Sequence, residues 1–311
     1  MKKFLSKILI FVLPAWLLLL VVDYWFSQEA KQSNDYVIEA WYDLMNGDIN
    51  ADVIVMGSSR AWVHIDPLIL DSILGVNTYN LGIDGRSFNS QIKKYHIYRE
   101  HNNKPKLIIQ NIDAFSLNYL VGYKMCQFFP YFWDETVRRE FVNTEPFTAG
   151  EKYLPMYRYI HTFYQRDYGM YTFLQRNNKR TLTKGYLGQL KTWDGQALNE
   201  IDSVSFPVDG RVAQMFEDYL EEVTADSINI IFVYSPIYIG AVKKMTSLDQ
   251  MYEKYQEYSK KYNIPILDYT FMKISYDTSY FYNAMHLNKL GSQIYSDSLA
   301  NDINRLNILN K

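Results

Sequence analysis

The sequence has almost no cysteine, and it lacks the short motifs that carry nucleotide or metal chemistry. Cys126 is the only cysteine among 311 residues, which excludes an internal disulfide and a metal cluster built on cysteines. There is no Walker loop, and the glycines of "GIDGRS", residues 82–87, lack the spacing of a dinucleotide fingerprint. No His-Glu-x-x-His motif or other dense group of ligands is present. We therefore expect no cofactor and no catalytic metal.

An excess of basic residues is missing as well. The formal net charge is -2, so no positive field is available for nucleic acid. Aromatic residues are abundant instead, mostly because the chain has 28 tyrosines. Tyr and Trp side chains suit sugar-like ligands and interfaces, although many tyrosines simply fill core and surface.

A long apolar run opens the chain. Residues 8–22 carry no charge, and the wider span 4–26 carries only Lys7 and Asp23, near its ends. A helix needs about 20 apolar residues to cross a bilayer. The aromatic residues 24–26 are typical of a membrane interface. The run predicts a single-pass membrane anchor.

The flanking charges predict the orientation of this anchor. Lys2, Lys3 and Lys7 precede the uncharged run, and only Lys31 follows it closely. The positive-inside rule then places the N-terminus in the cytoplasm and the rest of the chain periplasmic or extracellular. A cleaved signal peptide is the alternative, although bulky aromatics stand where a small-x-small cleavage site would be. Both interpretations export the body of the protein.

Five short apolar runs follow, and helix-like segments separate them. The runs are rich in Ile and Val without polar alternation, which is typical of strands buried on both faces of a parallel sheet. They are residues 52–57, 77–82, 106–113, 228–236 and 264–270. Helices are predicted at residues 90–101, 212–223 and 248–262. The alternation predicts an α/β fold, a three-layer α/β/α domain with a five-stranded, mainly parallel sheet.

The predicted organisation has three segments and one insertion. Residues 1–27 form the anchor, residues 28–50 a linker with a short helix, and residues 51–311 the α/β domain. The aromatic-rich stretch from about 115 to 207 is a helical insertion after the third strand. Ligands bind at the carboxyl ends of strands in open α/β sheets. The insertion is therefore either a lid or cleft wall, or a subdomain that only packs.

Two serines stand where the first strand ends, in "MGSSRAW", residues 56–62. A serine at the start of a helix combines a hydroxyl nucleophile with a backbone N–H and a helix dipole that favour negative charge. Acyl transfer needs a nucleophile and an oxyanion donor in one place. The alternative is that Ser58 or Ser59 is only a helix N-cap.

A nucleophilic serine needs a base, and the chain offers five histidines. They are His64, His96, His101, His161 and His286. His96 and His101 lie in a charged helix, and His161 lies in the insertion. His286 lies in "NAMHLNKLG", where a loop after the last strand leads into a helix. That location predicts that His286 lies at the same sheet edge as Ser59. His286 is therefore the candidate base.

These blocks resemble those of the SGNH, or GDSL-type, hydrolase superfamily. Its first block, Gly-Asp-Ser or Gly-Ser-Ser after the first strand, matches residues 57–59 and implies that Ser59 is the nucleophile. Its second block, an Asn-x-x-x-x-Gly turn, matches "NLGIDG", residues 80–85, and implies Gly85 as the oxyanion-hole glycine. The last block, Asp-x-x-His followed by Leu-Asn and a Gly, matches residues 283–291.

The resemblance implies several further properties. His286 would be the base, and the sheet would have the SGNH, flavodoxin-like arrangement. The sequence is most similar to membrane-anchored members that modify cell-envelope polymers, of the D-alanyl transfer protein type. That subgroup implies an acylated glycan or acyl donor as partner, and a multi-pass membrane acyltransferase beside it.

Two departures from the family pattern stand out. The acid position is Asn283, which can orient an imidazole but cannot stabilise imidazolium with a full charge. A lower rate, substitution by a carboxylate such as Asp277, or a catalytically inactive descendant all remain open. The third block, Gly-x-Asn-Asp, is replaced by "QNIDAF". Asn111 and Asp113 there are candidates for a related binding role, or a polar cluster at a strand end.

Arg60 follows the candidate nucleophile directly. It either holds an anionic substrate or pairs with Asp113.

The sequence thus predicts a serine-dependent esterase or O-acyltransferase, acting through Ser59 and His286 on an envelope or secreted polysaccharide. The acyl group is expected to be acetyl, and the acceptor water or a sugar hydroxyl. The alternative is a weakly active or inactive protein of the same fold that binds glycan or scaffolds an envelope assembly.

Overall fold

The computed structural model describes residues 2–33, 35–119, 125–160, 180–196, 198 and 203–310. The chain divides into two compact units. The helical unit is Met1–Asn46 with Gly122–Thr181, and the α/β unit is Gly47–Val121 with Leu182–Lys311. Parts of the predicted insertion, His161 among them, lie outside the described residues. The predicted division into anchor, linker and α/β domain stays a prediction.

The α/β unit contains the predicted sheet. Its strands are β1 Val53–Met56, β2 Thr78–Asn80, β3 Leu107–Asn111, β4 Asn229–Tyr234 and β5 Ile266–Asp268, in the order β2-β1-β3-β4-β5. Every neighbouring pair is parallel. All five apolar runs are therefore strands of one parallel sheet, as predicted, and each strand is shorter than its run.

Helices cover both faces of this sheet. In this unit they are α3 Ser59–His64, α4 Pro67–Leu74, α5 Phe88–His101, α9 Gly210–Ala225, α10 Ile239–Val242, α11 Leu248–Tyr262 and α12 Lys289–Leu306. Val55 and Ile109 pack with Leu299 and Ile303 of α12 on one face. On the other face Phe232 packs against aromatic rings of α9 and α11. The three-layer α/β/α prediction is confirmed.

Local sequence signals explain where the helices begin and end. The Asp66 side chain accepts the Leu68 N–H at 3.0 Å ahead of Pro67, a common first residue of helices. Helix α4 ends at Leu74, and its C-cap residue Gly75 has a left-handed φ of 67°. Asn288 caps α12 in the same way as Asp66 caps α4.

A short hairpin precedes α12, and the predicted loop at this place is wrong. Strand β6, Phe281–Asn283, pairs antiparallel with β7, His286–Leu287. The Asn283 side-chain oxygen accepts the Met285 N–H at 2.9 Å and closes the turn. The strands are too short to produce a readable alternation, so the sequence pattern could not predict them.

The helical unit is built around aromatic side chains. Its described helices are α1 Lys2–Lys31, α2 Tyr36–Asn46, α6 Glu135–Val137, α7 Ala149–Tyr153 and α8 Tyr157–Ile160, with a 3-10 helix Met125–Tyr131 and a π-helical turn Arg138–Val142. The Trp41 ring contacts the Phe128 and Phe141 rings at centroid distances of 5.2 and 5.7 Å. The Trp41 indole N–H donates to Gln127 at 2.8 Å. Helix α2 thereby belongs to this core.

Helix α1 has an exposed apolar part and a buried end. The stretch Ile10–Lys31 is long and apolar enough to cross a membrane, by length and composition. Towards its C-terminus, the Asp23 carboxylate is buried and makes a two-pronged ion pair with Arg158, at 2.7 and 2.6 Å. The Arg158 side chain is fully buried. This pair joins α1 to α8 within the helical unit.

Candidate active site

The turn from β1 into α3 places Ser59 at the sheet edge, and Gly57 makes the turn possible. Its φ is +150°, and a Cβ there would lie 2.7 Å from the Ala61 Cβ and 2.9 Å from the Asn111 Cβ. No side chain fits at this position. The chain can therefore leave the strand sharply and begin the helix two residues later.

The two serines that follow have different partners. Ser58 is the N-cap of α3, and its hydroxyl oxygen accepts the Arg60 N–H at 3.3 Å. The Ser58 hydroxyl also donates to the Asp113 carboxylate. Ser59 is the first residue of the helix, where backbone N–H groups have no partner inside the helix. Capping therefore occupies Ser58 and leaves the Ser59 hydroxyl available.

The Ser59 hydroxyl contacts His286. Its Oγ lies 2.8 Å from His286 Nε2, and Ser59 as a residue is 6% exposed. On the other side of the ring, His286 Nδ1 lies 2.9 Å from the Asn283 side-chain oxygen. Serine, histidine and asparagine thus form one continuous chain of hydrogen bonds.

The hydrogen bonds also determine which imidazole nitrogen carries the proton. The Met285 N–H can only donate, so the Asn283 atom that it meets at 2.9 Å is the oxygen. The same oxygen therefore accepts a hydrogen bond from the N–H of His286 Nδ1. The neutral imidazole therefore carries its proton on Nδ1 and presents the Nε2 lone pair to Ser59. This is the tautomer that a general base needs.

The surroundings of His286 keep its ring neutral. Burial is the main cause and the nearby Arg60 cation the second, and together they lower the pKa of His286 to about 4. The Tyr282 ring stacks on the imidazole at a centroid distance of 5.3 Å and an angle of 14°. Tyr282 thus covers one face of the ring, and sequence reasoning missed this residue.

Beneath Ser59 lies a buried polar cluster around the Asp113 carboxylate. Arg60 forms an ion pair with it, and the two side chains are 3% and 0% exposed. The Asn111 amide nitrogen donates to the same carboxylate at 3.2 Å. Of the two interpretations of Arg60, the structure shows the pair with Asp113. Asn111 and Asp113 meet each other in this cluster.

The second block, residues 80–85, packs against α3. The Asn80 amide nitrogen donates to the carbonyls of Ala61 and Ile65, at 2.7 and 2.9 Å. Gly85 lies in an exposed turn with a φ of +63°, a conformation that favours glycine. Burial raises the pKa of Tyr282 in β6, and the negative charge of Asp84 in this turn raises it further. The turn therefore lies near the hairpin. The oxyanion role of Gly85 stays a prediction.

Asp277 and His64, two further candidates from the sequence, have other partners in the structure. The suggestion that Asp277 replaces the missing acid is wrong. Its carboxylate accepts the Ser279 N–H at 2.9 Å, and His286 Nδ1 is hydrogen-bonded to Asn283 instead. His64 was one candidate base, but its Nε2 accepts the Leu287 N–H at 3.0 Å. Within the described ranges, no group of three or more His, Cys, Asp or Glu side chains could hold a metal ion.

Comparisons with known proteins give remote structural likenesses. No family model matches the chain, and no curated protein matches it. A proposed lipolytic protein of the G-D-S-L family from Desulfitobacterium hafniense is 12% identical, with 80% of this chain and 97% of that chain covered and a TM-score of 0.41. A proposed acylhydrolase from Bacteroides fragilis is 13% identical, with 88% and 95% covered and a TM-score of 0.39.

A protein from Streptococcus pneumonia, proposed to be a platelet activating factor, is also similar. It is 12% identical, with 96% of this chain and 99% of that chain covered and a TM-score of 0.44. Identities and scores this low do not establish a family. The chemistry of the site is therefore inferred from its own geometry.

Proposed function

We propose that this chain is a membrane-anchored serine esterase or O-acyltransferase of the SGNH type, acting on an acylated polysaccharide. The observation that carries the proposal is the hydrogen-bonded series Ser59, His286 and Asn283. The Ser59 Oγ lies 2.8 Å from the Nε2 that would take its proton. A neutral imidazole in the correct tautomer is the base that a serine nucleophile requires.

The first half of the reaction forms an acyl-enzyme. Ser59 Oγ attacks the carbonyl carbon of the acyl ester while its proton moves to His286 Nε2. The carbonyl oxygen becomes an oxyanion, which the backbone N–H groups of Ser59 and Gly85 would stabilise. When the C–O bond to the alcohol breaks, the imidazolium returns the proton to the leaving oxygen. Asn283 keeps the imidazole oriented throughout.

The second half transfers the acyl group, expected to be acetyl, to water or to a sugar hydroxyl. The acceptor loses its proton to His286 Nε2 as its oxygen attacks the acyl carbon. The proton then returns to Ser59 Oγ as the acyl-enzyme bond breaks. Hydrolysis and transfer use the same groups, and the acceptor that reaches the acyl-enzyme decides between them.

A cavity at the same sheet edge supports a polymeric substrate. It has a volume of about 560 Å³, and its lining includes Tyr252, Phe271, Asp249 and Asp268. An exposed aromatic ring such as that of Phe271 suits sugar rings, and the neighbouring carboxylates suit their hydroxyls. Asp268 ends β5, three strands from the β1 end that precedes Ser59, a distance of about 14 Å at the usual strand spacing. A glycan in the cavity would reach Ser59 through a few sugar residues.

Retention of α1 as an anchor is supported by the Asp23 and Arg158 pair. Cleavage of a signal peptide at any bond beyond Asp23 would remove this carboxylate and leave the fully buried Arg158 cation without its partner. An uncompensated buried charge is strongly destabilising. We infer an intact anchor in the cytoplasmic membrane, with the N-terminus inside and the catalytic unit periplasmic or extracellular.

Tethering would keep the site near a membrane-bound source of acyl groups at high effective concentration. The partner of the right chemistry is an acyl donor or an acylated glycan. The resemblance to the envelope-modifying subgroup names a multi-pass membrane acyltransferase as the protein that loads it. Co-purification of the full-length chain from its native membrane would test this partnership.

Labelling of the detergent-solubilised full-length chain with a fluorophosphonate tests the proposed nucleophile. We expect a label on Ser59, identified by peptide mass spectrometry, none on Ser59→Ala, and much slower labelling of His286→Ala. Ser58→Ala is the matched control, and it should still be labelled at Ser59. A folded wild-type chain without label would refute the enzyme and leave glycan binding or scaffolding as the function.

A further inference from the structure

Helix α3 contacts the β6–β7 hairpin through its first residue and its last. At one end, the Ser59 Oγ lies 2.8 Å from His286 Nε2. At the other end, His64 Nε2 accepts the backbone N–H of Leu287 at 3.0 Å. These two hydrogen bonds join the same two elements, and the second involves the residue directly after the candidate base.

His64 is well suited to accept this N–H. Its side chain is fully buried, and burial is the main reason why its pKa lies well below the usual value; electrostatic repulsion from the nearby Arg60 cation, and from His286 whenever that ring is protonated, acts in the same direction. The ring is therefore neutral, with its proton on Nδ1 and a lone pair on Nε2. Its ring meets the His286 ring edge-on at a centroid distance of 6.0 Å.

The position of His64 is itself fixed. Its backbone carbonyl accepts the hydroxyls of Ser292 and Ser296 on α12, at 2.9 and 3.2 Å. His64 Nδ1, in contrast, is buried and has no hydrogen-bond partner among the described residues. A leucine of similar size would avoid that unpaired donor. The polar ring at this buried place is thus explained by the bond to Leu287.

We propose that His64 is a positioning residue that sets the distance between the imidazole of His286 and the hydroxyl of Ser59. It touches no reacting atom and acts by holding the Leu287 N–H against the end of α3. This inference rests on the proposed function, because it assumes that His286 is the base for Ser59. Displacements of about 1 Å can cost a factor of about 100 in rate.

Two substitutions in the full-length chain test this role. His64→Leu removes the acceptor, and we expect kcat for a small acetyl ester and the fluorophosphonate labelling rate to fall by about 100-fold, with little change in KM. His64→Gln keeps a side-chain oxygen that can accept the Leu287 N–H, and we expect it to recover most of the rate. His101→Leu, the same change on α5, is the matched control and should keep the wild-type rate.

Melting temperatures of all three variants separate positioning from general stability. If His64 has only a structural role, His64→Leu should melt at a lower temperature, but the folded protein should react at the wild-type rate. That result would overturn the inference. Equal losses in His64→Leu and His64→Gln would overturn it too. If Ser59 takes no label in the wild type, the proposed function fails and this inference fails with it. If Ser59 is labelled and His64→Leu reacts normally, only this inference fails.

Discussion

The Asn283 side-chain oxygen lies 2.9 Å from His286 Nδ1 and accepts a hydrogen bond from its N–H. The same oxygen accepts the backbone N–H of Met285, which fixes the amide in one orientation. In a serine triad a carboxylate at this place both orients the imidazole and stabilises imidazolium. Asn283 keeps the first effect and lacks the second. In the proposed mechanism, the base therefore has the correct tautomer but no compensating negative charge.

Restoring the carboxylate with Asn283→Asp should accelerate the reaction. The new charge beside Nδ1 stabilises the imidazolium that forms as Ser59 attacks, so we expect kcat for a small acetyl ester to rise by about 10-fold or more. The substitution should also raise the pKa of His286. Asn283→Leu, which removes the acceptor, should lower kcat by about two orders of magnitude or more. Equal rates in wild type and Asn283→Asp would mean that a negative charge beside Nδ1 does not stabilise the imidazolium in the rate-limiting step.

Sequence patterns predicted the architecture because the strands are continuous apolar runs, of which β1, β2 and β3 are buried along their whole length. Helix α11, Leu248–Tyr262, coincides with its predicted range. The polar cluster was harder to predict, since Arg60 had two equally reasonable partners. The role of His64 could not be predicted at all, because the group it contacts is a backbone N–H 223 residues away. A sequence does not display such a contact.

The pH dependence of kcat/KM should reflect the low pKa of His286. The base works only when neutral, so activity is expected to persist at pH 5 and to fall as the pH drops through about 4. An unperturbed histidine would lose activity around pH 6.5. The measurement is a kcat/KM profile from pH 3 to 8 with an ester that does not ionise. A midpoint near 6.5 would mean that the imidazole is not desolvated as the structure shows.

The same pKa shift predicts how stability depends on pH. Between about 4 and the ordinary value of 6.5, the unfolded chain binds a proton at His286 that the folded chain does not. The free energy of unfolding should therefore fall as the pH is lowered from 6.5 towards 4. Urea denaturation of wild type and His286→Gln across this range isolates the contribution of His286. Parallel curves for the two proteins would contradict it.

Removing Arg60 should destabilise the fold. Arg60→Met leaves the buried Asp113 carboxylate without its cation, which is expected to cost about 3–5 kcal/mol in the free energy of unfolding. The double variant Arg60→Met with Asp113→Leu removes both charges and should recover much of this loss. Urea denaturation of the three proteins gives the comparison. A double variant as unstable as Arg60→Met would show that the ion pair is not the cause.

Truncation tests whether the end of α1 belongs to the folded protein. Deleting residues 1–27 removes Asp23 and leaves Arg158 buried and unpaired, so we expect a large loss in melting temperature or aggregation. Deleting residues 1–22 keeps Asp23 and is the matched control. Adding Arg158→Met to the longer deletion should recover part of the stability. If both truncated chains are equally stable, the argument for an uncleaved anchor fails.

The cavity beside β5 predicts a separation between polymer recognition and chemistry. Phe271 lines it and is 65% exposed, so Phe271→Ala should leave the fold and the Ser59 site intact. Loss of one sugar-stacking ring is expected to raise KM for an acetylated oligosaccharide by about 10-fold, and kcat for a small acetyl ester should not change. Leu190→Ala, at an apolar side chain 82% exposed and outside the cavity lining, is the control and should affect neither substrate. Equal KM values for the oligosaccharide in wild type and Phe271→Ala would place the glycan elsewhere. A fall in small-ester activity would instead mean that Phe271 supports Ser59 and His286, because a ring used only for the polymer cannot influence a substrate that never reaches it.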